Sequence, residues 1–295
     1  MPSRRARRVF VAAALLGGTL TGVAQAWDVT RPAHVERGAE RLDMPAPALL
    51  TSDSAWLAIS AYGTMDAVQG FDHLLALASC RRRVVTSCRN YDGSVPLTAL
   101  EVVAQKGDDF EVLIQAAGYD DGDRAFVDEV DRTIWLTREL GYRRVVWVTL
   151  RENVTYNSVV GYAEVFHNNN VAIRQLAASG QYPELVVADW AEYARDRPEW
   201  FTADGIHMTR LGAYAAADYI SRKMAFLEAR PCPNPSTPGG PIADPCPDPD
   251  VTGPVNDIVG LYPTTQPSPE ARIGTSEYLI FEGSGSWPGP PWWER

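Results

Sequence analysis

Five short apolar runs, separated by longer amphipathic stretches, constrain this chain more than any other feature. They are "APALLTS" (46–52), "RRVVTS" (82–87), "FEVLIQAAG" (110–118), "RRVVWVTL" (143–150) and "ELVVADW" (184–190). Runs this short, with little polar alternation, read as strands of a parallel sheet covered on both faces. Segments 62–79, 95–106, 122–140, 157–179 and 209–229 read as helices; in 122–140, Phe126, Val130, Ile134, Trp135 and Leu140 approximate one face. Such alternation predicts a doubly wound α/β sheet with right-handed crossovers. Ligand sites in these sheets lie beyond the carboxyl ends of the strands.

The two ends of the chain differ from this middle. "MPSRRARR", an apolar stretch and "AQA" at 24–26 fit an export signal cut after Ala26. The apolar stretch is broken by glycine and threonine and is shorter than the ~20 residues of a spanning helix. Residues 27–45 form a lead-in, 46–229 the α/β domain and 230–295 an extension. Of 22 prolines, 15 lie between 231 and 295, which argues against a regular second domain. "DIVGLYP", "SEYLIFEG" and "WPGPPWW" carry aromatic residues a plain linker does not need. Packing back onto the domain and contact with the cell envelope both remain open for them.

Charge narrows the partners. Loss of the signal removes four arginines and no acids, taking the formal charge from −10 to −14. A chain this acidic has little positive charge with which to displace counterions from phosphates, so nucleic acid is not an expected partner. The four cysteines suit an exported protein. Local pairs Cys80–Cys88 and Cys232–Cys246 are the simplest of the three connectivities, and there is no C-x-x-C or nearby histidine to favour a metal. No metal or cofactor is expected.

The predicted carboxyl edge carries polar residues. "SDSAW" follows the first strand, "GYDD" the third, and "TADGIHMTR" lies beyond the fifth. A serine hydroxyl needs a neighbouring base to become a nucleophile, and the base needs a group that fixes its tautomer. Ser54, His207 and Asp204 supply those three parts. The remaining polar clusters read more plainly. "HNNN" (167–170) is a solvated helical face, "DDGD" (120–123) lacks the calcium-loop pattern, and His34 and His73 have no evident partners. Trp56, Trp135, Trp147 and Trp190 read as packing residues, with Trp56 also a candidate pocket wall.

In these blocks the sequence resembles the SGNH/GDSL hydrolases over roughly residues 46–228. Ser52-Asp53-Ser54 stands for the first block, Gly118-Tyr119-Asp120-Asp121 for the third and Asp204-Gly205-Ile206-His207 for the last. The resemblance implies a three-layer α/β/α sandwich with a flavodoxin-like, five-stranded parallel sheet. It also implies a serine esterase acting on small-molecule or carbohydrate esters, with Ser54, Asp204 and His207 catalytic. The oxyanion hole falls to Ser54, Asp120 and a second-block glycine, for which Gly93 is the candidate; a plain turn is the equal alternative there. Asp120 replaces the family's asparagine. An ionised carboxylate has no proton to donate, so Asp120 is either a protonated donor or the mark of a catalytically impaired relative that serves as an envelope-binding module.

Overall fold

The computed structural model describes residues 46–90, 93–154, 162–255 and 258–261. The expected signal, the lead-in, His34, residues 157–161 of one expected helix and the aromatic segments after 261 lie outside them. Five parallel strands form one sheet: β1 (Ala48–Ser52), β2 (His73–Leu77), β3 (Val112–Gln115), β4 (Arg144–Val148) and β5 (Leu185–Ala188), in the order β2-β1-β3-β4-β5. This is the flavodoxin-like arrangement, whose order reverses at β1/β3. Register aligns Leu50 with Ile114 and Ile114 with Val146.

Side chains alternate across the sheet, giving two cores. Leu50, Ile114 and Val146 face the side covered by α1 (Ser54–Ala61) and α6 (Arg210–Leu227). Leu49, Leu113, Val145 and Trp147 face α2 (Ala99–Lys106), α3 (Phe126–Glu139) and the Ile173 end of α4 (Tyr162–Ser179). The architecture is a three-layer α/β/α sandwich.

Three expectations change. The second strand is His73–Leu77, not 82–87, and 62–79 is not a helix. Gly63 and Gly70 sit at φ 65° and 85°, backbone that interrupts a helix between them. "HLLAL" is the buried run, whereas "RRVVTS" lies in the loop closed by the Cys80–Cys88 disulfide. On α3, Phe126, Val130 and Ile134 face the core, but Trp135 is 58% exposed and Leu136 is buried instead. At about 100° per residue, Phe126, Val130, Thr133, Ile134, Leu136 and Thr137 fall on one side of the helix and Trp135 on the opposite side.

The Cys232–Cys246 disulfide also forms, and the chain does not leave the domain at 229. Buried Lys223 of α6 donates to Asp248 at 2.9 Å and Asp250 at 2.6 Å. Asp250, in the short α7 (Pro249–Thr252), also accepts from the Tyr219 hydroxyl at 2.6 Å and from the Asp189 amide. Val255 and Ile258 of α8 (Ile258–Leu261) join the same core as α1 and α6. The boundary expected at 229/230 is therefore not an edge of the packed body.

Candidate active site

Ser54 opens α1 directly beyond β1, next to the point where strand order reverses. Asp53 caps that helix: one carboxylate oxygen accepts from the Ala55 amide at 3.0 Å. Its other oxygen accepts from the amides of Gly118 at 2.7 Å and Tyr119 at 2.8 Å. A single buried carboxylate thus joins the loops after β1 and β3. Burial pushes Asp53 above the usual aspartate range, against those three amides, and the nearby Asp121 adds to the push. Gly118 is required for this fit, because a Cβ there would stand 2.5 Å from the Arg83 guanidinium.

The loop before α6 brings the other two groups. Thr202 and His207 are joined by a backbone hydrogen bond, and Phe201 bridges to Met208, closing a compact turn. Gly205 sits in it at φ 77°, and a Cβ there would collide with the Asn153 carbonyl oxygen. One Asp204 oxygen accepts from the Thr202 hydroxyl and the amides of Ile206 and His207, at 2.8, 2.8 and 3.0 Å. The other meets His207 Nδ1 at 2.6 Å. Burial opposes the Asp204 charge, but the bonds from His207 and Ile206 outweigh it and hold the carboxyl well below its ordinary range. A carboxylate can only accept, so Nδ1 carries the proton and Nε2 presents its lone pair. Nε2 lies 3.0 Å from Ser54 Oγ. Ser54 and His207 are 9% and 7% exposed, so the pair is largely shielded from water.

Asp120 is half-buried in the loop after β3. Burial, then the neighbouring Asp53 and Asp121, push its carboxyl up to about 7, against the pull of Arg82 and His207. Asp121 beside it is fixed by the Arg83 amide at 3.0 Å. The buried Arg83 guanidinium bonds Glu129 at 2.7 Å and the Gly122 carbonyl at 3.2 Å, with the Phe126 ring 4.9 Å away. The Cys80–Cys88 loop therefore supplies two cations to the third block: Arg83 to its frame and Arg82 to the surroundings of Asp120.

Gly93 is the turn glycine of the two readings. Its amide donates to the Asn90 carbonyl at 2.9 Å, its φ is 87°, and its own carbonyl accepts from Arg89. That N–H is already committed and unavailable to an oxyanion. Trp56 is buried against Trp190, 5.6 Å between ring centroids, as a packing residue. "HNNN" is not uniformly solvated: Asn170 is buried and clasps both backbone groups of Leu150, at 2.8 and 2.6 Å, bracing the loop after β4. That loop also holds Arg151, whose amide donates to the Tyr119 hydroxyl at 2.7 Å and whose guanidinium donates to the Gly205 carbonyl at 2.8 Å. Only Asp53 had a readable signal, as an aspartate in the capping position before a helix.

No protein-family model matches the chain, and neither does any curated protein. Among solved structures, the C-terminal catalytic domain of Streptococcus pneumoniae peptidoglycan O-acetyltransferase A is 20% identical, over 60% of this chain and 91% of that one, at TM-score 0.45. A lipase/acylhydrolase from Enterococcus faecalis is 16% identical, over 59% and 93%, at TM-score 0.38. The aryl esterase of M. smegmatis is 12% identical, over 59% and 98%, at TM-score 0.40. Function is therefore read from the geometry of the site itself.

Proposed function

We propose that this protein is an exported serine esterase of the SGNH/GDSL kind, acting on short acyl or acetyl esters of small alcohols or carbohydrates. The observation that carries the reading is the relay Asp204 to His207 to Ser54, at 2.6 and 3.0 Å. Ser54 Oγ attacks the acyl carbon while His207 Nε2 takes its proton, and Asp204 steadies the imidazolium. His207 then returns the proton to the leaving alcohol oxygen, releasing the alcohol and leaving Ser54 acylated. Water deprotonated by His207 attacks the acyl-enzyme, and the carboxylic acid departs as Ser54 regains its proton. The oxyanion lies at the N-terminus of α1, where the Ser54 amide and the helix dipole favour negative charge. Asp120 in its acid form supplies a second donor. Two disulfides suit the oxidising compartment that export implies. Among the described residues, no helix is long and apolar enough to cross a membrane.

The impaired-relative reading draws on Asp120 alone: once ionised, it loses the donor and repels the developing charge. Labelling with a fluorophosphonate and hydrolysis of p-nitrophenyl acetate separate the two. Wild type is expected to react in both assays, and Ser54→Ala in neither. A wild-type protein inert in both at pH 6 leaves only the binding-module reading.

A further inference from the structure

A concavity adjoins the loop that carries Asp204 and His207. Its two lobes, of about 480 Å³ and about 660 Å³, share Arg151, Asn153, Arg195 and Asp196. Both volumes fall in the range of preformed small-molecule sites. The larger lobe is bounded by Pro198, Phe201, Ala203 and Gly205, immediately beside Asp204.

In the smaller lobe Arg174 meets Asp189 at 2.7 Å and Arg195 meets Glu192, while His167 Nδ1 lies 2.9 Å from the Glu152 carboxylate. Charges neutralised by their own neighbours select weakly for a charged ligand; they offer fixed donors and acceptors instead. Arg151 adds one more. It is 5% exposed, its guanidinium holds the Asn153 and Gly205 carbonyls, and its Nε is buried with no hydrogen-bond partner among the described residues.

We propose that this cleft binds the saccharide portion of a glycan ester. A pyranose ring has apolar C–H faces, which suit the side of Pro198 and Ala203. Its neutral hydroxyls both donate and accept, matching the planar side chains of Asn153, Arg195 and Asp196. The proposal rests on the esterase reading for its reaction, and on the cleft alone for binding.

Binding is measured on full-length Ser54→Ala by saturation-transfer difference NMR with xylotetraose, cellotetraose and chitotetraose. Saturation is expected to reach at least one of them. Arg195→Ala and Asp196→Ala, both at exposed positions whose loss leaves the core intact, should each weaken that binding by about five-fold, the worth of one or two hydrogen bonds. No transfer to any tetrasaccharide, or transfer unchanged in both variants, overturns the proposal. In the catalytic arm, Arg195→Ala should lower the ratio of kcat/KM for acetylated xylotetraose over that for p-nitrophenyl acetate by a similar factor; an unchanged ratio counts against the cleft. If wild type hydrolyses neither ester, the esterase reading fails and the NMR result judges the cleft by itself.

Discussion

Unlike the asparagine of the resembled family, Asp120 can donate a hydrogen bond only while it holds a proton. With its carboxyl pushed up to about 7, the acid form, the oxyanion donor on the proposed reading, is present below that pH and lost above it. Hydrolysis of p-nitrophenyl acetate should therefore fall as pH rises through about 7, while Asp120→Asn holds its rate to pH 9. Parallel decline in the two proteins would remove Asp120 from the oxyanion hole. Arg82 favours the ionised form, so Arg82→Ala should move the falling limb to higher pH. Stability follows the same sign. A raised carboxyl contributes stability that is full below its ordinary pKa and lost as pH climbs through the shifted one. Asp120→Asn should thus raise the melting temperature more at pH 8 than at pH 5. Ser54, Asp204 and His207 were legible because their residue types and order carry chemistry. Arg83 and Asn170 were not, since their roles come from partners such as Asp121, Glu129 and Leu150 that the fold alone brings near.

Among the elements, four of the five strands could be read directly, and the fifth shows why one could not. "RRVVTS" and "HLLAL" are both short and apolar, and periodicity does not tell a buried strand from a cross-linked loop. The distinction lay in punctuation: glycines at 63 and 70 break the chain ahead of the true strand, and cysteines at 80 and 88 frame the loop. Helix α3 offers a test of the corrected face. Ile134→Ala should cost about 2–5 kcal/mol in urea unfolding, the usual range for emptying a core site. Trp135→Ser, on the exposed side, should stay within about 0.5 kcal/mol. Equal losses would restore Trp135 to the core.

For the whole molecule, composition hid a connection. Proline density reads as an extension that leaves the domain, yet residues 230–261 are tied in by two carboxylates on Lys223, by Cys232 and Cys246 packed on Ala225, and by Val255 and Ile258. Proline excludes regular structure without excluding packing. A chain ending at Ala229 leaves Lys223 buried with both partners gone, a loss of about 3–5 kcal/mol. Its thermal unfolding should shift sharply downward or lose cooperativity relative to the full-length protein. Identical melting of the two would show the segment to be a passenger.

Helix α1, which begins with Ser54, packs against α6, which begins just after His207, and the bond between those residues spans 153 positions of sequence. A ribosome delivers the serine early and the histidine late. Until α6 has been made and has packed on α1, the nascent chain has the Ser54 hydroxyl without His207 beside it. On the esterase reading, the relay is complete only once α6 has packed on α1, so a fragment that stops short of α6 is expected to be silent rather than half-active.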